Sequence, residues 1–188
     1  MKKPAVFMDR DGTVNEQMGY INHPDRFVLL PGVGKAIHLL NEAGFLTIIV
    51  TNQSGVARGY FPVDLVYQVH EKMKRLIKKD GATLDGIYFC PHYPQGKVSP
   101  YGTPCDCRKP GIGLIREAEA SFDIDMDNSW VIGDRSTDIK MAHRAGLKGI
   151  LVKTGYGRGD LKYVFPEFPF QPSHVAEDLL DAVKWILG

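Results

Sequence analysis

Residues 5–13, Ala5-Val6-Phe7-Met8-Asp9-Arg10-Asp11-Gly12-Thr13, run from a short apolar stretch straight into two carboxylates and a glycine. Side chains two apart on an extended chain share a face, so a strand ending here delivers Asp9 and Asp11 to one pocket. Gly12 then lets the chain turn sharply. A nucleophile and an acid/base stand side by side, with enough negative charge to hold a hard cation. A strand end followed by an ordinary polar turn would look the same, so the rest of the chain has to decide.

Four more apolar, β-rich runs follow, at 46–50, 86–89, 130–132 and 149–152. Between them lie stretches of helical period: 33–43, with Val33, Ile37 and Leu40 on one face and Gly44 as the stop; 62–79, opened by Pro62; then 111–122 and 138–145. Alternation of strand and helix predicts an α/β fold, a three-layer α/β/α sandwich around a central parallel sheet. The unbroken apolarity of 46–50 suits a strand covered on both faces. Residues 155–172, rich in Gly, Pro and aromatics, read as a surface loop before a last helix at about 174–187. Gly155–Gly159 follows a strand but opens no helical pattern, and Gly32-Val33-Gly34-Lys35 reads as a helix start rather than a phosphate loop.

In such sheets ligands bind beyond the carboxyl ends of the strands. Asp9 and Asp11 follow the first run, Thr51, Asn52, Gln53 and Ser54 the second, and Gly133, Asp134 and Asp138 the fourth. Arg108-Lys109-Pro110 precedes the third of these helices. Useful polar groups therefore collect at one edge from distant parts of the chain. Three acids (Asp9, Asp11, Asp134), the Lys109 cation and the hydroxyl and amides of Thr51 and Asn52 suit phosphate chemistry with Mg²⁺. Asp9 would attack phosphorus, giving an aspartyl-phosphate, and Asp11 would protonate the leaving alcohol before activating water. The first task calls for a raised pKa at Asp11, and its acidic neighbour works that way.

Bulk properties are ordinary. The 188 residues carry 23 Lys+Arg against 22 Asp+Glu, a net charge of +1, with 44% hydrophobic residues. One domain, 1–188, is expected. Nothing points to nucleic acid or membrane as a partner, the Met1-Lys2-Lys3 start leads into too short an apolar run for a signal, and a cytoplasmic monomer is expected. Cys90, Cys105 and Cys107 cluster within 90–107, and an odd number argues against a disulfide framework. With His92 they make a tetrahedral Zn²⁺ set, closed to water and hence structural, at spacings tighter than usual; the alternative is three buried or incidental cysteines with a surface His. The ligands would tie down 93–104, rich in Pro and Gly, beside Arg108-Lys109.

The set Asp9-Arg10-Asp11-Gly12-Thr13, Thr51-Asn52, Lys109-Pro110 and Gly133-Asp134…Asp138 resembles the four ordered motifs of the haloacid dehalogenase superfamily of phosphatases. The resemblance implies a Rossmann-like fold with Asp9 as nucleophile, Asp11 as acid/base and Thr51 and Lys109 at the transferring phosphoryl group. It places Mg²⁺ between Asp9, the Asp11 carbonyl and Asp134, with Asp138 positioning Lys109 or a metal-bound water. The zinc loop, Asn15, Gly19-Tyr20, the 52–59 stretch and Cys107–Pro110 are similar to the heptose bisphosphate phosphatases, and more distantly to histidinol-phosphate phosphatases. That similarity implies a sugar bisphosphate substrate met by Gln17, Met18, Gly19, Tyr20, Thr51, Asn52, Gln53, Ser54, Lys109 and Arg135, with Arg108 on the second phosphate. Arg135 stands where several relatives carry Lys. Short connections between motifs imply no large cap domain. A zinc-organised phosphate-binding module without turnover is the non-enzyme alternative. His23, His38, His70, His143 and His174 read as surface or partly buried, and Trp130 and Trp185 as core.

Overall fold

The computed structural model describes residues 2–188. Six strands, β1 (Ala5–Met8), β2 (Leu46–Asn52), β3 (Gly86–Cys90), β4 (Trp130–Gly133), β5 (Lys148–Val152) and β6 (His174–Ala176), form one parallel sheet in the order β3-β2-β1-β4-β5-β6. Strand order reverses at β1, whose neighbours are β2 and β4. The crevice at that reversal is where an open α/β sheet leaves room for a ligand.

Helices cover both faces, because the central strands carry apolar side chains on each. Val6, Met8, Ile49 and Ile132 point into a core shared with α1 (Val33–Glu42), α3 (Val63–Lys79) and α7 (Leu179–Leu187). Ala5, Phe7, Ile48, Val50 and Val131 point the other way, against α4 (Gly113–Ser121) and α5 (Ser136–Arg144). The α/β/α layering expected from the sequence is present. One turn of helix, α2 (Gly55–Arg58), follows β2, and no helix among the described residues is long and apolar enough to cross a membrane.

Three expectations change at the carboxyl end. Residues 155–172 are not all loop: α6 (Gly157–Tyr163) opens at the Gly-rich segment, followed by a short 3₁₀ turn at Phe165–Glu167. Glycines at 157 and 159 hide the helix from a propensity reading, whereas burial of Gly157 and Asp160 holds it in place. The last helix starts late, because His174–Ala176 pairs with Ile150–Val152 as an edge strand. Trp185 is 45% exposed, so it is not core; it meets Trp130 edge-on and stacks on His174 at 4.3 Å.

Candidate active site

β1 carries Asp9 to the sheet's carboxyl edge, where its amide donates to the Ile132 carbonyl of β4 (2.9 Å). Gly12 then turns the chain at φ +90°, and a Cβ there would collide with the Asp134 carboxylate. The glycine is required by both backbone conformation and space. Thr154 Oγ1 donates to the Gly12 carbonyl at 2.6 Å, locking the turn to the segment after β5.

Lys109 is buried among acids, with Nζ 2.8 Å from Asp9 Oδ1 and 2.7 Å from Asp138 Oδ1. Burial opposes its charge, but Asp138 and Asp9 outweigh that and hold its pKa above the ordinary lysine value. Asp138 also accepts from the Arg135 amide (3.1 Å), capping α5, so one carboxylate anchors both the helix and the lysine. Asn52 fixes the backbone of Lys109 from both sides, accepting from its N–H (3.0 Å) and donating to its carbonyl (3.2 Å).

Asp134 is fully buried. Oδ2 accepts from the Tyr156 amide at 2.8 Å, while Oδ1 has no hydrogen-bond partner. Burial first, then the negative charges of Asp9 and Asp138, push its pKa up to about 8. Burial likewise raises Asp9 to about 6, against the pull of Lys109. Carboxylate oxygens of Asp9, Asp134 and Asp138 lie within 4.8 Å of one another, and one ammonium cannot neutralise three of them. The unpartnered Asp134 oxygen and this surplus of negative oxygen fit a divalent cation such as Mg²⁺.

Asp11 is a correction. Its pKa lies below the ordinary carboxylate value, not above it: burial would raise it, but the Arg10 charge and several hydrogen bonds prevail. Arg10 Nη2 donates to both Asp11 oxygens (2.9 and 2.8 Å), Asn15 Nδ2 to one (3.0 Å) and Gln53 Nε2 to the other (2.8 Å). Sequence proximity to Asp9 suggested like-charge repulsion, yet the nearer charge is Arg10.

The cavity above these groups holds about 360 Å³. Asp9, Asp11, Gln17, Gly19, Tyr20, Thr51, Asn52, Gln53, Ser54, Arg108, Lys109 and Arg135 of the expected set line it. Met18 does not, since its side chain packs on the apolar core instead. Arg58, Thr137 and Tyr156 also line the cavity and escaped the sequence reading. The Arg58 guanidinium lies 3.8 Å over the Tyr93 ring, with Arg108 on the same ring at 5.1 Å, and neither has a carboxylate partner among the described residues. Arg135 packs over Tyr156 at 4.7 Å. Arg58 belongs to the 52–59 stretch that carries the resemblance, but no period or spacing there marks it as a cavity residue.

Beside the cavity, Cys90, His92, Cys105 and Cys107 present ligand atoms within 4.8 Å of one another. Cys107 Sγ lies 2.7 Å from Cys90 Sγ and 2.8 Å from Cys105 Sγ, with His92 Nδ1 at 3.3 Å. All three thiols are free. A hydrogen bond from Cys107 draws Cys90 down to about 6, and the same contact pushes Cys107 well above the usual thiol range. Three sulfurs and an imidazole nitrogen so gathered are the donor set of a tetrahedral zinc site. Arg108 Nη1 donates to the His92 carbonyl (3.2 Å), tying the loop to the cavity.

A family model described as HAD-hydrolase-like matches residues 106–182. A protein of Thermosynechococcus vestitus named D-glycero-D-manno-heptose-1,7-bisphosphate 7-phosphatase is 41% identical across 99% of this chain and 96% of its own length. The chain belongs to the heptose-1,7-bisphosphate 7-phosphatase family of haloacid dehalogenase-like hydrolases. Another family member, the D-glycero-beta-D-manno-heptose-1,7-bisphosphate 7-phosphatase of Haemophilus ducreyi, is 42% identical over 99% of this chain and all of its own. In structure, the D,D-heptose 1,7-bisphosphate phosphatase of B. bronchiseptica superposes with a TM-score of 0.87 at 34% identity, covering 100% of this chain and 98% of that one. That heptose bisphosphate phosphatase was crystallised with magnesium and phosphate.

Proposed function

We propose that the chain, working as one domain and as a monomer, removes the C7 phosphate of D-glycero-D-manno-heptose 1,7-bisphosphate through an aspartyl-phosphate on Asp9. The observation that carries this is the Asp9–Lys109–Asp138 cluster beside a cavity also lined by Arg58 and Arg108, two arginines without a carboxylate partner among the described residues. The acids and lysine suit phosphoryl transfer, and the two arginines a second anion.

Lys109 screens the Asp9 carboxylate from the dianionic phosphoryl group and stays charged while doing so. Thr51, 1% exposed and bonded to Gln53 Nε2 (3.0 Å), offers its hydroxyl and neighbouring amides to the transferring oxygens. Bound Mg²⁺ would be held by Asp9, Asp134 and the Asp11 carbonyl, and would supply charge neutralisation at the phosphoryl oxygens. Asp11, held as a carboxylate, is in the form that takes a proton from the hydrolytic water; protonating the leaving alcohol requires loading a proton first. Gln17, Gly19 and Tyr20 meet the sugar, and Arg58 and Arg108 the C1 phosphate. Zn²⁺ on Cys90, His92, Cys105 and Cys107 serves structure. Free thiols poised as metal ligands suit a reducing compartment, and we place the reaction in the cytoplasm.

The test is acid quench during turnover followed by borohydride reduction and mass spectrometry of the peptide holding Asp9, with steady-state rates on both heptose anomers and histidinol phosphate. Reduction of the trapped acyl phosphate to homoserine at position 9, with the heptose bisphosphate turned over fastest, is expected. Phosphate trapped on another residue or an unmodified Asp9, or preference for histidinol phosphate, would overturn the reading.

A further inference from the structure

We propose that His70, on the inner face of α3, is a positioning residue for the reaction: as a hydrogen-bond acceptor it fixes the Arg10 guanidinium and, through it, the Asp11 carboxylate. The proposal rests on Asp11 being the acid/base.

Arg10 is only 1% exposed and ranks among the largest fully buried side chains. A buried guanidinium keeps its charge, and isolation from water costs several kcal/mol unless its N–H groups find partners. Nη2 is committed to Asp11, Nη1 faces His70 Nε2 at 3.2 Å, and Nε has no partner. Arginine only donates, so at this distance Nε2 of the imidazole must accept and the ring proton must sit on Nδ1. Burial, reinforced by the charge of Arg10, lowers the histidine to about 3 and keeps the ring in that neutral form.

A packing role alone does not explain the residue. The buried stripe of α3 is otherwise Val66, Val69, Met73 and Ile77, and His70 is its one polar member. A leucine would fill the place against Phe89, whose ring meets the imidazole edge-on at 5.5 Å. It would leave Nη1 buried and unpaired, free to swing about the unpartnered Nε and to carry Asp11 with it. His70 thus reaches the reacting groups without touching substrate. From the sequence it reads as surface or partly buried; the fold buries it, at 4% exposed.

The experiment compares His70→Leu with His70→Gln in the full-length, zinc-loaded chain with Mg²⁺; the Gln carbonyl oxygen stands near where Nε2 was. In His70→Leu, kcat should fall about tenfold to hundredfold, the cost of a misplaced reacting group. KM should stay within about twofold, since no ground-state contact is lost. His70→Gln should recover most of the loss. The nitrogen-15 spectrum of the wild-type imidazole should show Nε2 unprotonated and Nδ1 protonated at neutral pH, a readout that needs no variant to fold. Unchanged kcat in His70→Leu, equal damage in both variants, or a protonated Nε2 would each overturn the proposal. Running the rates on p-nitrophenyl phosphate as well as the heptose bisphosphate separates the outcomes: failure on the sugar alone counts against the substrate assignment, not against His70.

Discussion

Asp9 and Asp11 stand two positions apart, and the fold treats them in opposite ways. Burial lifts Asp9 toward neutral pH, with one lysine working against it, whereas Asp11 is held ionised by Arg10, Asn15 and Gln53. The Asp9 carboxylate, so placed, is readily protonated, and the Lys109 ammonium 2.8 Å away works to keep it ionised. Arg10, between the two acids in the chain, is the largest buried cation of the site. His70 adds a consequence for acid stability. Its pKa is about 3 in the fold against an ordinary 6.5, so between those values the unfolded chain binds a proton that the native chain does not. Stability therefore drains away as pH falls from about 6.5 toward 3, and is fully present above that window. Chemical denaturation at a series of pH values should show His70→Gln losing less stability than wild type across that interval; parallel curves would refute a buried neutral imidazole.

The segment between β3 and α4 has almost no regular structure of its own, yet it delivers Arg108 and Lys109 to the cavity. The donor atoms of Cys90, His92, Cys105 and Cys107, from its two ends, meet within 4.8 Å of one another, and Asn52 clamps Lys109 from β2. Removing zinc should therefore damage catalysis at a distance from the reacting atoms. Purified protein should carry about one zinc per chain, as a closed four-ligand site requires. After a thiol-selective chelator, with excess Mg²⁺ present throughout, both Tm and kcat/KM should drop, and zinc should restore them; intact activity in the zinc-free chain would show that the loop holds itself. Cys and His spacing made this element visible in advance. α6 was not visible, since Gly157 and Gly159 disfavour a helix that neighbouring contacts impose. β6 was hidden for a related reason: three residues carry too little pattern, and only pairing with β5 defines them.

Over the whole molecule the charges nearly cancel, at +1, but they are not evenly spread. Asp9, Asp134 and Asp138 gather at one place, while Arg58, Arg108 and Arg135 are among the residues lining the cavity. On the proposed reading these arginines meet a substrate that carries two phosphates. Arg58→Ala should raise KM for heptose 1,7-bisphosphate by about tenfold or more, the worth of a charged hydrogen bond, and leave heptose 7-phosphate nearly unaffected. Steady-state kinetics on the two substrates decide it; equal losses on both would mean that Arg58 shapes the cavity and reads no second phosphate.

The parallel α/β layering, the gathering of Asp9, Asp11 and Lys109 at the carboxyl edge and the clustering of Cys90, His92, Cys105 and Cys107 were legible from the chain, because strand and helix periods and residue spacing are local properties. Protonation states, the partners of Arg10, the burial of His70 and the approach of Arg58 to Arg108 across Tyr93 were settled only on folding. Those depend on which groups from distant segments share a water-free space, and charge in such a space is governed by its neighbours rather than by its position in the sequence.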